Sequence, residues 1–263
     1  FLGELSTIYK SLLVGESPVL PSMALQYRDF ALWQRDYLSG DVLNTQLDYW
    51  KRELSGFESL NLPLDFKRPS VISYDGGNVS FIVPSSTSIG LRSLSKDLGV
   101  SLYSVMLSGY YVMLSAYSGQ DDIVLGTPVA NRHHVGLENM IGFFVNTLVL
   151  RMSIDFDMEI GEFIKGVSGS VSGAQIHQDL PFEKLVDELN IDQDSSRHPI
   201  FQVMFGLQSM DKESSQYYEH ESFLQPFEGS LSYDVAKFDL TVMIDENGDT
   251  LSGTFNYAKS LFK

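Results

Sequence analysis

Two histidine-containing stretches carry the side chains best suited to proton transfer. His133 and His134 are adjacent, and His177 stands two residues before Asp179. Imidazole titrates nearer neutral pH than any other side chain, so a buried imidazole held by a partner is the usual general base. Adjacent side chains point apart in most backbones, and this pair lies in a polar connector between two expected strands. That placement predicts a solvent-exposed pair. The histidines are His133, His134, His177, His198 and His220, and no two have the i, i+4 spacing of a helical zinc site, so no metal site is expected. Asp155-Phe156-Asp157-Met158-Glu159 begins like a calcium loop, but its turn glycine falls late, at Gly161, and Gly166 stands where the loop needs a carboxylate. The Ser/Gly stretch from Gly166 to Gly173 has no serine centred between glycines as in a nucleophile elbow. No phosphate-cradling glycine loop is present. The absence of cysteine excludes disulfides, thiolate metal sites and cysteine nucleophiles.

The elements that must position these groups follow from apolar periodicity. Phe1, Leu2, Leu5, Ile8, Tyr9, Leu12 and Leu13 recur on one helical face. That stripe starts at residue 1 without a Ser, Thr or Asp cap, which leads us to expect a fragment whose sequence continues upstream. Helices are expected over Tyr27 to Leu38, Thr45 to Leu54 (anchored by Tyr49 and Trp50), Ser88 to Leu98, a stretch capped by Ser101, and Ile160 to Ile176. Leu60 to Pro69 reads as an extended connector, and Asp75-Gly76-Gly77 as a turn before the strand Val79-Phe81-Val83. Strands are also expected over Ile123 to Val129, Val145 to Met152 and Phe201 to Leu207. Leu240–Ile244 and Leu251–Phe255 form a hairpin across Asn247-Gly248. A short helix follows Pro181, which occupies a first-turn position. Strands separated by helices, with a closing hairpin, indicate an α/β or α+β layered sandwich.

Composition bounds the function. The 263 residues are 43% hydrophobic, 12% aromatic and 20% charged, enough for one large domain or two small ones. Eighteen basic against 34 acidic residues give a net charge of −16, which repels polyanions at long range. Nucleic acid and anionic membranes are therefore not expected partners. The acidic residues are scattered, as on a solvated surface. No run of eighteen apolar residues suggests a membrane span, and the lack of a secretory signal points to a cytoplasmic location.

Four separated segments carry a family resemblance. Tyr27-Arg28-Asp29-Phe30-Ala31-Leu32-Trp33 resembles Y-x-D-F-A-x-W, and Ile141-Gly142-Phe143-Phe144-Val145-Asn146-Thr147, with Arg151, resembles I-G-x-F-V-N-T and its terminal arginine. His177-Gln178-Asp179-Leu180-Pro181-Phe182-Glu183 is similar to H-Q-D-x-P-F-E. Ser196-Arg197-His198-Pro199 is similar to S-R-N-P, with His198 in place of Asn. In order and spacing these resemble the condensation domains of non-ribosomal peptide synthetases. Leu62-Pro63-Leu64-Asp65 and Gly126-Thr127-Pro128 look familial too.

The resemblance implies a chloramphenicol-acetyltransferase-like fold, of which this chain is the C-terminal half in a V-shaped pair of subdomains. Residues 1–60 would be a helical segment continuing from a missing N-terminal subdomain, and 61–263 the C-terminal subdomain. The implied substrates are thioesters on the phosphopantetheine arms of upstream and downstream peptidyl carrier proteins, and an adenylation domain is an implied neighbour. The family's H-H-x-x-x-D-G motif would lie before Phe1, so no residue here is assigned as catalytic. His133-His134-Val135-Gly136-Leu137-Glu138-Asn139 mimics that motif but sits where the family has a connector. Asn131, Gly142, Phe143, Asn146, Thr147 and Gln178 are the candidates to line the tunnel, Gly142 by allowing close backbone approach to a ligand. Tyr27, Asp29, Trp33, Arg151, His177, Asp179, Pro181 and Arg197 are expected to be structural. Among them, Asp29 would tie its helix to its neighbours, Arg151 would hold an ion pair, and Asp179 would cap the helix that follows it. The same architecture also serves epimerisation domains, and a non-catalytic carrier-docking module is a further alternative.

Overall fold

The computed structural model describes residues 1–191, 194–208, 234–246, 248 and 250–263. Among these the chain forms α1 (Leu2–Leu13), α2 (Tyr27–Tyr37), α3 (Gly40–Glu53), β1 (Gly76–Ile82), α4 (Ser85–Leu98), α5 (Leu102–Ser118), β2 (Asp122–Val129) and β3 (Asn146–Ser153). It continues with α6 (Ile160–Ile176), α7 (Phe182–Glu188), β4 (Val203–Gln208), β5 (Leu240–Asp245) and β6 (Ser252–Ala258). The helix ends follow local chemistry. Ser101 accepts the Ser104 N–H to start α5, while Gly99 and Gly119, at φ 68° and 70°, close α4 and α5 in the left-handed conformation glycine tolerates.

The strands form one sheet in the order β1-β6-β5-β4-β2-β3. Its centre is parallel, β4 lying between β5 and β2, and the outer pairs are antiparallel. Parallel strands are normally covered on both faces, and Val124, Leu125, Val203, Phe205, Val242 and Ile244 are all buried. Helix α5 packs on α4, α6 and β2, and α6 packs on β3. The glycines of α6 have a packing reason: a Cβ on Gly173 would come within 2.9 Å of the Tyr49 hydroxyl, and one on Gly166 within 3.0 Å of Met152. The β5–β6 hairpin pairs as expected; Gly248 of its turn has φ 82°, while Asn247 lies outside the described residues.

Some boundaries differ from the sequence reading. Gly76 and Gly77 are not a turn but the first residues of β1, where added Cβ atoms would meet Ala236 N and the Tyr257 ring, both at 2.5 Å. Helix α3 begins at Gly40, five residues early, and buries Leu47 and Trp50, with Leu54 just past its end, in the same core as the sheet. Pro181 precedes α7 as its N-cap residue rather than standing inside its first turn. Helix α1 buries none of its residues, and Phe1, Leu12 and Leu13 of its apolar stripe are exposed. No single helix among the described residues is long and apolar enough to cross a membrane.

Candidate functional site

The connector between β2 and β3 folds back on itself around one cation. Arg132 donates to the carbonyls of Leu137 and Met140, and its guanidinium lies 4.1 Å from the Phe144 ring centroid. Leu137, Met140 and Phe144 then close with Phe30 of α2 into a small apolar cluster, separate from the main core. Tyr27 locks the same joint: its hydroxyl donates to the Phe143 carbonyl at 2.8 Å, and its ring occupies the space a Cβ on Gly142 would need, 2.2 Å from Tyr27 Cδ2.

On this frame His133 and His134 do not point apart into solvent, as adjacency in the sequence would suggest. Their ring centroids are 4.1 Å apart, and both turn towards Asp179, on the link between α6 and α7. His133 Nε2 lies 2.9 Å and His134 Nε2 3.5 Å from the same oxygen, Asp179 Oδ1. The other oxygen accepts the Tyr37 hydroxyl at 3.2 Å. Burial, and then the Asp179 carboxylate, push the Tyr37 phenol above its ordinary pKa. Trp33 stacks on Tyr37 at 4.8 Å and meets His134 edge-on at 4.6 Å. Each imidazole is about one-third exposed, and His134 Nε2 is buried without a hydrogen-bond partner. The pair comes together because a tightly turned connector, unlike a strand, lets successive side chains converge.

Asp179 is thus committed to Tyr37 and the imidazoles and does not cap α7, contrary to expectation. That task falls to Asn146, at the start of β3. Its buried amide accepts the Phe182 N–H at 3.1 Å and donates to the carbonyls of Gln178 and Leu180, both at 2.9 Å. Asn146 therefore stitches β3 to the α6–α7 link, leaving its amide no free group to offer a ligand. Asp29 accepts the Gln26 N–H at 2.9 Å in a capping box, so it closes its own helix rather than reaching a neighbouring one. Gly142 makes room for Tyr27, not for a ligand. Arg151 clamps Asp122 through Nε and Nη2, the latter at 2.7 Å, and donates to the carbonyls of Glu53 and Ser55 at the end of α3. His177 stacks on Tyr49 at 3.8 Å, with Nδ1 against the Gly173 carbonyl. Arg197 donates to Asn61, and Gln178 to the Gln175 carbonyl. Asn131 is buried at φ 52°, Thr147 is half-buried opposite Pro128, and Phe143 is 77% exposed.

A cleft of about 410 Å³ runs along β2, β3 and β4, lined among others by Tyr103, Thr127, Val129, Val145, Gly206 and Met243. None of the six tunnel candidates lines it. Tyr103 donates to Thr127 Oγ1 at 2.8 Å across its floor, and burial pushes the Tyr103 phenol up to about 12, so it stays a neutral donor near pH 7. The described lining contains no carboxylate and no imidazole. Such a surface can position a substrate and exclude water, but it holds no group to remove a proton near neutral pH. Thr127 lies within a stretch already marked in the sequence; Tyr103 carries no signal there because its helical neighbours are also apolar.

Comparison with known proteins places this geometry. The family model described as "Condensation domain" matches residues 1–263. Malpinin synthetase of Mortierella alpina is 40% identical over 262 residues, covering 99% of this chain and 3% of the relative. Bacitracin synthase 3 of Bacillus licheniformis is 38% identical over 264 residues, covering 100% of this chain and 4% of the relative. The chain therefore spans less than one-twentieth of the length of either curated relative. Among solved structures, the complex of the X-domain and OxyB from teicoplanin biosynthesis matches with a TM-score of 0.86 and 25% identity, over 98% of this chain and 58% of that one. A four-domain non-ribosomal peptide synthetase bound to AMP and glycine matches with a TM-score of 0.79 and 26% identity, over 99% and 21% respectively.

Proposed function

The chain belongs to the condensation domain family, and from that premise we propose that it forms one wall of a cleft in which carrier-bound thioesters are joined by an amide bond. The observation that carries this reading is the cleft beside Tyr103 and Thr127, mostly apolar and uncharged among its described lining residues. An amine attacking a thioester needs little covalent help. Holding the two tethered reactants together replaces a bimolecular encounter, an effect worth up to about 7–11 kcal/mol in well-oriented systems. Thr127 and Tyr103 supply neutral hydrogen-bonding groups for an amide of the phosphopantetheine arm or the growing peptide. The general-base imidazole belongs to an upstream subdomain outside this chain, and the 263 residues alone form no peptide bond. Carrier proteins on both sides and an adjacent adenylation domain are the partners this reading requires.

The test fills the cleft. Val145 lines it and is 52% exposed, so Val145→Trp obstructs the space without disturbing the core. In the complete enzyme we expect condensation between loaded carriers to fall by at least about tenfold, in line with the sensitivity of rates to substrate placement, with an unchanged unfolding midpoint. Unaltered turnover would remove the cleft from the reaction path.

A second reading, a non-catalytic docking module, draws on the likeness to the X-domain seen in complex with OxyB. Carrier-protein binding measured with and without the upstream half separates the two: binding independent of that half favours the module.

A further inference from the structure

We propose that His133, His134 and Asp179 form a binding site for a divalent transition-metal ion of the zinc type. The ligand atoms of the three side chains all lie within 4.8 Å of one another. Zinc binds imidazole nitrogen and carboxylate oxygen at about 2.0–2.2 Å, so tetrahedral ligands stand roughly 3.3–3.5 Å apart. His133 Nε2 and His134 Nε2, at 2.9 and 3.5 Å from Asp179 Oδ1, bracket that separation. For an ion to enter, the His133–Asp179 contact must open from its hydrogen-bond distance.

Three further features point to a ligand rather than to a simple ion pair. His133 Nε2 is within hydrogen-bond distance of Asp179 Oδ1, whereas the second imidazole stops at 3.5 Å without a hydrogen bond. That second nitrogen, His134 Nε2, is buried and aimed at the carboxylate. A metal ion would use the lone pairs of both rings at once. The carboxylate is also oriented from behind, since the Tyr37 hydroxyl takes Oδ2 and turns Oδ1 towards the two imidazoles. Trp33 fixes the plane of His134 from α2. Such outer partners are characteristic of metal sites and set ligand direction. The two imidazoles remain about one-third exposed, so water or an external ligand can complete the tetrahedron.

Nitrogen and carboxylate ligands without thiolate suit zinc, nickel or copper. The ion would tie the β2–β3 connector to the α6–α7 link, a bond between segments 45 residues apart in sequence (179 less 134). The inference is independent of the reading of the cleft, because the metal ligands are not among the cleft's described lining residues.

The test titrates the 263-residue chain, freed of metal by chelator, with Zn²⁺ by calorimetry and with Co²⁺ by visible absorption. We expect one ion per chain, tetrahedral Co²⁺ d–d bands displaced by Zn²⁺, and a melting temperature that rises with Zn²⁺ concentration. His133→Asn and His134→Asn should each weaken binding by at least about tenfold, and Tyr37→Phe by about tenfold through the outer shell. His198→Asn should leave binding unchanged. The two connector substitutions replace partly exposed rings, and circular dichroism with the unfolding midpoint verifies that they fold. Absence of stoichiometric binding by the wild-type chain, or equal affinity in the His133 and His134 variants, would overturn the proposal.

Discussion

Asn146 offers the sharpest test of how the β3 end of the molecule is held. Asn146→Ala removes three hydrogen bonds between β3 and the α6–α7 link, to the Gln178 and Leu180 carbonyls and from the Phe182 N–H. Each is worth about 0.5–1.5 kcal/mol net, and the abandoned partners pay further where water cannot reach them. Leu180 is buried and Asn146 itself is only 8% exposed. We therefore expect a loss of about 3–5 kcal/mol, a large share of the stability of a typical domain. Urea unfolding at neutral pH reads the loss as a lower midpoint at constant m-value. Amide exchange at Phe182 should quicken because its acceptor is gone. Asn146→Asp should fare little better: it keeps the acceptor for Phe182 but turns two donations into contacts between a carboxylate and carbonyl oxygens. A tunnel residue would behave differently, losing activity while the unfolding midpoint stayed in place. A stability change below about 1 kcal/mol in Asn146→Ala would refute the stitching role.

Gly142→Ala should destabilise by about 1–3 kcal/mol, because its Cβ would collide with the Tyr27 ring; pairing it with Tyr27→Leu, which clears that ring, should recover part of the loss in thermal unfolding. Arg151→Ala removes the clamp on Asp122 and two carbonyl bonds at the end of α3, in a partly exposed setting, and should lower stability by about 2–3 kcal/mol in denaturant unfolding. His198, whose ring packs on Phe238, has its pKa lowered by burial. The unfolded chain therefore takes up the proton first, so the stability His198 contributes is present above its unfolded pKa near 6.5 and declines as pH falls towards the folded value. His198→Asn should flatten that part of the stability–pH profile, and an unchanged slope between pH 6.5 and 5 would contradict the assignment.

How much the sequence discloses depends on whether a signal is local. The limits of α6 are legible in its periodicity, and Ser101 and Gly99 mark helix ends, because caps and left-handed glycines act within a few residues. The pairing of Arg151 with a carboxylate is legible too, since a lone cation in a covered strand must find one. Asp29 fails locally, closing its own helix through the Gln26 N–H, and the other failures at the site are long-range. Asp179 looks like a cap because it sits before a helix, but the actual cap comes from Asn146, in β3. Gly142 suggests a ligand, and only the fold shows Tyr27 arriving from 115 residues away (142 less 27). The convergence of His133 and His134 depends on the turn imposed by Arg132, whose carbonyl partners no spacing rule reveals.

The most direct test of the division of labour is single-turnover amide formation between two loaded carrier proteins, followed by mass spectrometry of the carrier-bound product. No extended thioester is expected with the 263-residue chain alone, and one should form once the upstream half is supplied. Product formed by the chain alone, and lost on replacing His133 or His134, would place the proton-handling group here and contradict it.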